Sequence, residues 1–257
     1  MKIGICIPKE RILLLTPGAA DYAELRLTEI QAMTAEDIRE TKKDLSSVGL
    51  GAETANGFFP SDVRMCGKYY DKKALTEYCK RGISNAAELD IHTIVLGSSA
   101  ARNIDEGEDP VTCMKQIEES FLISAEVASE YNTTIVLEHL NRRECNTLNT
   151  AKEGAELVRR IAHPNLQLLV DFFHFSYEKE PYSVFYDNKD IIKHMHIAHP
   201  VTRFTPAEGD GFNYYELKGV LDDINYGGRM SIEAIYKEDF AQDAKESLGF
   251  VKKVFGK

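Results

Sequence analysis

IVLEHLNRRE, residues 135–144, runs three apolar residues straight into Glu138 and places a second carboxylate, Glu144, six positions later. A short β-branched and aliphatic run of this kind, bounded by polar residues, reads as a buried strand. A buried strand that ends on an acid calls for a reason, because an ionised carboxylate is costly to remove from water without a partner. The pattern recurs downstream: LQLLVD ends on Asp171, HMHIA carries His196 and SIE ends on Glu233. Along the whole chain such runs alternate with amphipathic stretches, the sign of repeated βα units on a parallel sheet.

Eight strands are expected, at Ile3–Ile7, Tyr22–Leu25, Gly49–Thr54, Ile91–Leu96, Thr134–Glu138, Leu166–Asp171, His194–Ala198 and Arg229–Glu233. Helical periodicity is clearest in AEDIRETKKDLSSV, KALTEYCKRGISNAAEL, VTCMKQIEESFLISAEVASEY, TAKEGAELVRRIA and DAKESLGFVKKVF. Thr34 and the Asn149-Thr150 pair precede two of these helices as candidate N-caps. Eight βα units in 257 residues predict an α/β fold, a (β/α)8 TIM barrel forming one domain over residues 1–257. A doubly wound open sheet would give a similar string of elements.

Composition sets the chemical class. The five cysteines, Cys6, Cys66, Cys79, Cys113 and Cys145, are odd in number and form no C-x-x-C, so they read as reduced thiols and not as zinc ligands. The net charge of −10, with no lysine or arginine stripe, argues against nucleic acid and for a small polar molecule as partner. No apolar run reaches the length of a membrane span, and MKIGICIPKE is broken by Pro8 and Lys9 before a signal-peptide core could form. A soluble, cytoplasmic protein without membrane association is the expectation.

In a (β/α)8 barrel the chemistry sits at the C-terminal ends of the strands. Glu138, Asp171, His196 and Glu233 then arrive at one rim from four consecutive strands, the fifth to the eighth. Taken singly, an acid after a strand is an N-cap or a solvated loop residue. Taken together, three carboxylates at one place repel unless a cation neutralises them, and a two-Glu, one-Asp, one-His donor set suits one divalent metal, Mn2+ first, with Mg2+, Co2+ or Zn2+ as alternatives. His194 shares a strand face with His196, but only the latter lies near the rim. His139 is read as facing away, and His92 and His163 as structural. Arg102, after the fourth strand, reads as a phosphate or hydroxyl ligand or as a solvated residue. Phe58, Phe59, Phe172, Phe173 and Phe175 read equally as an apolar wall for a ligand or as core. YEKEPYSVFYDN, residues 177–188, reads as a lid or a contact with a neighbouring subunit.

The segments LEHLNRRE, VDFFH, HMHIAHPVTR and SIEA, in that order, resemble the sugar isomerase/epimerase group of the xylose-isomerase-like barrels, in particular the D-tagatose 3-epimerase and other ketose 3-epimerases. GAADYAELRL and VLGSSAARNIDEG resemble that group's second and fourth strands. The resemblance implies a metal-dependent sugar isomerase, with Glu138, Asp171, His196 and Glu233 as metal ligands. It further implies that Glu144, His174 and Arg203 bind substrate, although Arg203 follows His196 by seven residues where the group has six. It also implies pairing into a homo-oligomer, a dimer or tetramer.

The expected chemistry is proton transfer next to a carbonyl through a metal-stabilised enediolate, with Glu138 and Glu233 as base and acid. Epimerisation and aldose–ketose isomerisation use the same machinery and stay open at this point. The alternative is a lyase on the same barrel, either a C-glycoside-cleaving subunit or an inosose dehydratase-like enzyme. An endonuclease IV-type repair enzyme is disfavoured, because its extra histidines are missing, Glu24 and Glu53 stand on strands two and three, and the charge opposes DNA.

Overall fold

The computed structural model describes residues 1–237 and 239–256. Eight parallel strands close into a barrel in the order of the sequence. They are β1 (Lys2–Cys6), β2 (Tyr22–Arg26), β3 (Ala52–Asn56), β4 (Thr93–Leu96), β5 (Thr134–Glu138), β6 (Leu166–Asp171), β7 (Ile192–Ile197) and β8 (Arg229–Ile232). Closure is made by β1 against β8, with Ile3 beside Met230 and Ile5 beside Ile232. The helices in chain order are α1 (Leu27–Ile30), α2 (Ala35–Ser47), α3 (Lys72–Glu88), α4 (Ser99–Arg102), α5 (Pro110–Glu130), α6 (Ala151–Ile161), α7 (Phe172–Tyr177), α8 (Ser183–Asn188), α9 (Tyr214–Asp223) and α10 (Phe240–Phe255). The expected TIM barrel is therefore the observed architecture.

Local chemistry accounts for most element ends. Thr34 and Thr150 each form a capping box, with Asp37 and Glu153 respectively, at the starts of α2 and α6. Asn149 is not a cap; its amide holds the carbonyls of Leu140 and Cys145. Two strands start later than expected. Gly49 and Leu50 donate back to the end of α2, and Ile91 donates to Ala86 of α3, so these residues finish helices before β3 and β4 begin. Glu233 lies one residue past β8, yet its N–H still donates to the Ile197 carbonyl. The main core fills the space between strands and helices.

The inside of the barrel is divided. On β4, β5 and β6 it is apolar, with Val95, Val136 and Leu169 forming their own buried cluster. By the two-residue period of a strand, Val136 shares a face with Glu138, and Leu169 with Asp171, so these side chains form the floor beneath the rim acids. On β2, β3, β7 and β8 the interior is polar and buried, made of Glu24, Thr54, His194, His196 and Ser231. Tyr22 also lies there because Gly4 makes room: a Cβ on Gly4 would stand 2.3 Å from the Tyr22 ring. No helix among the described residues is long and apolar enough to cross a membrane, and all five cysteines are free.

Candidate metal centre

The ends of β5, β6, β7 and β8 bring Glu138, Asp171, His196 and Glu233 together, each offering one ligand atom within 4.8 Å of the others. His196 Nδ1 is the hub. It lies 3.1 Å from Glu138 Oε1, 3.5 Å from Glu233 Oε2 and 3.9 Å from Asp171 Oδ2. Asp171 Oδ1 is occupied, accepting the His174 N–H at 3.0 Å as the N-cap of α7. Its Oδ2 is buried and has no hydrogen-bond partner among the described residues. An unsatisfied carboxylate oxygen facing an imidazole and two more carboxylates fits a divalent cation, whose charge would satisfy all of them.

The electrostatics are those of crowded acids. Burial, and then the neighbouring Glu233 charge, raise the Glu138 carboxyl above the usual range. Burial pushes Glu233 the same way, but His196 and Arg203 outweigh it and hold that carboxyl low. A bound divalent cation would become the largest local charge and override this split. The close approach to Glu138 depends on Gly97, directly after β4: a Cβ there would lie 2.1 Å from Glu138 Oε2.

The three residues assigned to substrate sit around the same centre. Arg203 donates from Nη1 to both oxygens of Glu144, at 2.8 and 3.0 Å, and from Nη2 to Glu233 Oε2 at 3.2 Å. Its guanidinium lies 5.0 Å from the centre of the Phe173 ring. The loop that presents it is built by His199, whose Nδ1 accepts the N–H groups of Val201 and Thr202 and whose carbonyl accepts that of Arg203. His174 is buried; its Nδ1 accepts the Asn141 N–H at 3.3 Å. The ring proton is thereby assigned to Nε2, which has no partner among the described residues.

Other expectations divide. Of the five phenylalanines only Phe173 is at the site; Phe58, Phe59, Phe172 and Phe175 are core. Arg102 is neither a ligand hook nor solvated: it is fully buried, donating from Nη1 to the Glu138 carbonyl at 2.8 Å and from Nε towards Cys145 Sγ at 3.4 Å. The cause is the short helix α4, which turns the side chain under the β5 rim. We predict that Arg102→Met lowers unfolding free energy by about 1.5–3 kcal/mol, the worth of a charge-assisted hydrogen bond, in urea denaturation. Residues 177–188 are tied down, with Glu178 accepting from Arg142 N–H, Glu180 from Ala151 N–H, and Val184 and Phe185 buried.

Glu24, to which the sequence assigns no role at the centre, supports it from below. It is fully buried inside the barrel, under the quartet. Oε1 lies 2.8 Å from His196 Nε2; Oε2 lies 2.7 Å from His194 Nε2 and accepts from Thr54 Oγ1 and Ser231 Oγ at 2.7 and 2.6 Å. Burial alone would raise this carboxyl, but His196 and His194 hold it well below the usual range. A register shift between Ala23 and Glu24 in the β2–β3 pairing accompanies this inward placement. Glu24 thus holds the far nitrogen of His196 and orients Nδ1 towards the three rim acids.

Eight parallel strands around a half-polar interior, with four ligand-type side chains at their C-terminal ends, define a (β/α)8 barrel with a candidate divalent-cation centre. Residues 19–254 match the sequence profile described as the xylose isomerase-like TIM barrel, and the chain belongs to that family. It is 26% identical over 236 residues to a D-psicose 3-epimerase of Agrobacterium fabrum, covering 89% of this chain and 78% of the relative. It is 27% identical over 228 residues to a 3-dehydro-D-guloside 4-epimerase of Escherichia coli, covering 84% of each. Among solved structures, a D-psicose 3-epimerase crystallised in the presence of D-fructose superimposes with a TM-score of 0.85 over 100% of both chains, at 23% identity. That likeness speaks for the fold.

Proposed function

We propose that this protein is a sugar epimerase or isomerase that moves a proton at a carbon next to a carbonyl and depends on one divalent metal, Mn2+ first among the candidates. The observation that carries the reading is the set of three carboxylates converging on His196 Nδ1, with Asp171 Oδ2 left unpartnered among them. The named relatives, which act on sugars and on sugar derivatives as epimerases, support it.

In this reading Glu138, Asp171, His196 and Glu233 hold the metal, which when bound would polarise a carbonyl and an adjacent hydroxyl and so acidify the hydrogen on the carbon between them. Glu138 ends β5 and Glu233 directly follows β8, on two sides of the centre, and they serve as base and acid: one removes the proton and the other returns one to the opposite face. Arg203, already paired with Glu144 and Glu233, gives hydrogen bonds to sugar oxygens and fixes the reacting carbon. Glu144 accepts from a terminal hydroxyl. His174 offers its unpartnered Nε2–H to a further oxygen. The small-molecule partner is a sugar or sugar derivative.

The test is elemental mass spectrometry of the purified protein together with deuterium wash-in from heavy water into a panel of ketoses. The expected result is about one metal per chain and exchange at the carbon next to the carbonyl, lost on chelation and restored by Mn2+. Exchange at C3 assigns a 3-epimerase, and exchange at C1 an aldose–ketose isomerase. Metal-loaded protein that exchanges no sugar hydrogen, or that instead eliminates water or a C-glycoside, overturns the reading.

A further inference from the structure

A cleft of about 270 Å3 opens beside the metal centre, on the β8, β1, β2 and β3 side of the rim. Glu233 belongs to both: it is one of the four candidate ligands and it lines this cleft. A sugar reacting between Glu138 and Glu233, with one end at Glu144, Arg203 and His174, therefore has its other end in this space. The lining there is distinctive. Arg11 and Arg26 both reach it, in a chain whose net charge is −10.

Arg11 packs against two aromatic rings. Its guanidinium carbon lies 4.6 Å from the centre of the Phe240 ring and 5.8 Å from that of Tyr236, and its guanidinium N–H groups meet no hydrogen-bond acceptor among the described residues. Arg26 closes β2 and is steered from the side by Glu29, at 3.7 Å. The one carboxylate in the lining, Glu233, is already committed, with Asn56 Nδ2 donating to Oε1 at 2.8 Å and Arg203 to Oε2. Two buried polar atoms in the same lining have no partner among the described residues: Asn56 Oδ1, on a side chain only 8% exposed, and the Tyr236 hydroxyl. A buried carbonyl and a buried hydroxyl left unpaired are costly unless a ligand supplies the missing hydrogen bonds.

We infer that the sugar carries an oxyanion, a phosphate or a carboxylate, at the end remote from Arg203, and that Arg11 and Arg26 recognise it. Asn56 Oδ1 and the Tyr236 hydroxyl then take the hydroxyls between that anion and the reacting carbon. A neutral sugar would satisfy those two atoms but would leave two guanidinium groups facing only hydroxyl oxygens. An oxyanion accepts several N–H bonds at once, and planar guanidinium matches both phosphate and carboxylate. The inference rests on the sugar-enzyme reading above, so its test separates the two.

The first measurement is calorimetric binding of a hexitol and of the same hexitol carrying a 6-phosphate, neither of which has a carbonyl to react, to metal-loaded wild type and to Arg11→Gln and Arg26→Gln. The second is deuterium wash-in into a ketohexose, its 6-phosphate and its 6-carboxylate. The expected result is that the hexitol phosphate binds at least tenfold tighter than the hexitol, and that each arginine variant loses about tenfold of that preference. One of the two anionic ketoses exceeds the neutral one in kcat/KM, through KM, and which of the two does so identifies the anion. If the hexitol phosphate binds in an arginine-dependent way but no sugar exchanges, the anion site stands and the epimerase reading falls. If neutral and anionic ketoses exchange equally, and the phosphate adds nothing to hexitol binding, the anion site is overturned and the epimerase reading stands. Equal melting temperatures for variants and wild type establish that the arginine effects are local.

Discussion

Gly97→Ala is expected to lower kcat/KM by about 100-fold while leaving the barrel folded, the usual cost of displacing a reacting group by an ångström. The added methyl would stand 2.1 Å from Glu138 Oε2 and 3.1 Å from its Cδ, so the carboxylate must leave its place. Gly97 itself does not occupy the left-handed region, so alanine meets no backbone penalty and the effect is confined to the collision. Swinging Glu138 away also relieves repulsion among the three acids in the metal-free protein. The metal-free melting temperature should therefore hold, while the rise on adding Mn2+ should shrink as affinity falls. Gly219→Ala in α9 is the matched control, because a Cβ there meets nothing within 4 Å. Wild-type metal affinity and turnover in Gly97→Ala would mean that the chemistry does not need Glu138 where the structure puts it.

The three candidate acids legible in the sequence share one property: each sits where the periodicity of a strand breaks. Glu138 and Asp171 end apolar runs, and Glu233 ends a shorter one, so their carboxylates stand out against the pattern. The barrel follows from the count of such runs, although α9 does not stand out among the helical stretches, because YYELKGVLDD spans only ten residues. The partner groups were hidden by the opposite circumstance. Glu24 lies mid-strand in YAELR, where an acid ordinarily faces water on an alternating strand; here the polar half of the barrel interior reverses that expectation. Arg102 was obscure for a related reason, since a buried arginine that holds a backbone carbonyl looks the same in sequence as a solvated one. Gly97 reads as an ordinary turn residue until the Glu138 carboxylate is seen lying over it.

Glu24→Gln is expected to weaken metal binding by about 10–100-fold, the usual consequence of removing the group that orients a ligating histidine. The reason lies in how the four donors are shared. Oε2 receives three of them, from His194, Thr54 and Ser231, and the Ser231 hydroxyl is in turn 2.8 Å from that of Tyr22. A glutamine would keep its carbonyl oxygen at that position and turn its amide towards His196 Nε2. The amide donates, so His196 would have to accept at Nε2 and carry its proton on Nδ1, the nitrogen that faces Glu138, Asp171 and Glu233. A protonated Nδ1 cannot bind a cation. Glu24→Ala is the harsher change: it leaves two buried histidines without their carboxylate and should cost about 3–5 kcal/mol of stability. Competition against a chromophoric chelator measures the affinity, and nitrogen NMR of the His196 ring reports which nitrogen holds the proton. A glutamine variant that binds Mn2+ like wild type, with the proton still on Nε2, would show that His196 is oriented by the rim acids alone; a variant with its proton moved to Nδ1 and its affinity lost would place Glu24 among the determinants of the centre.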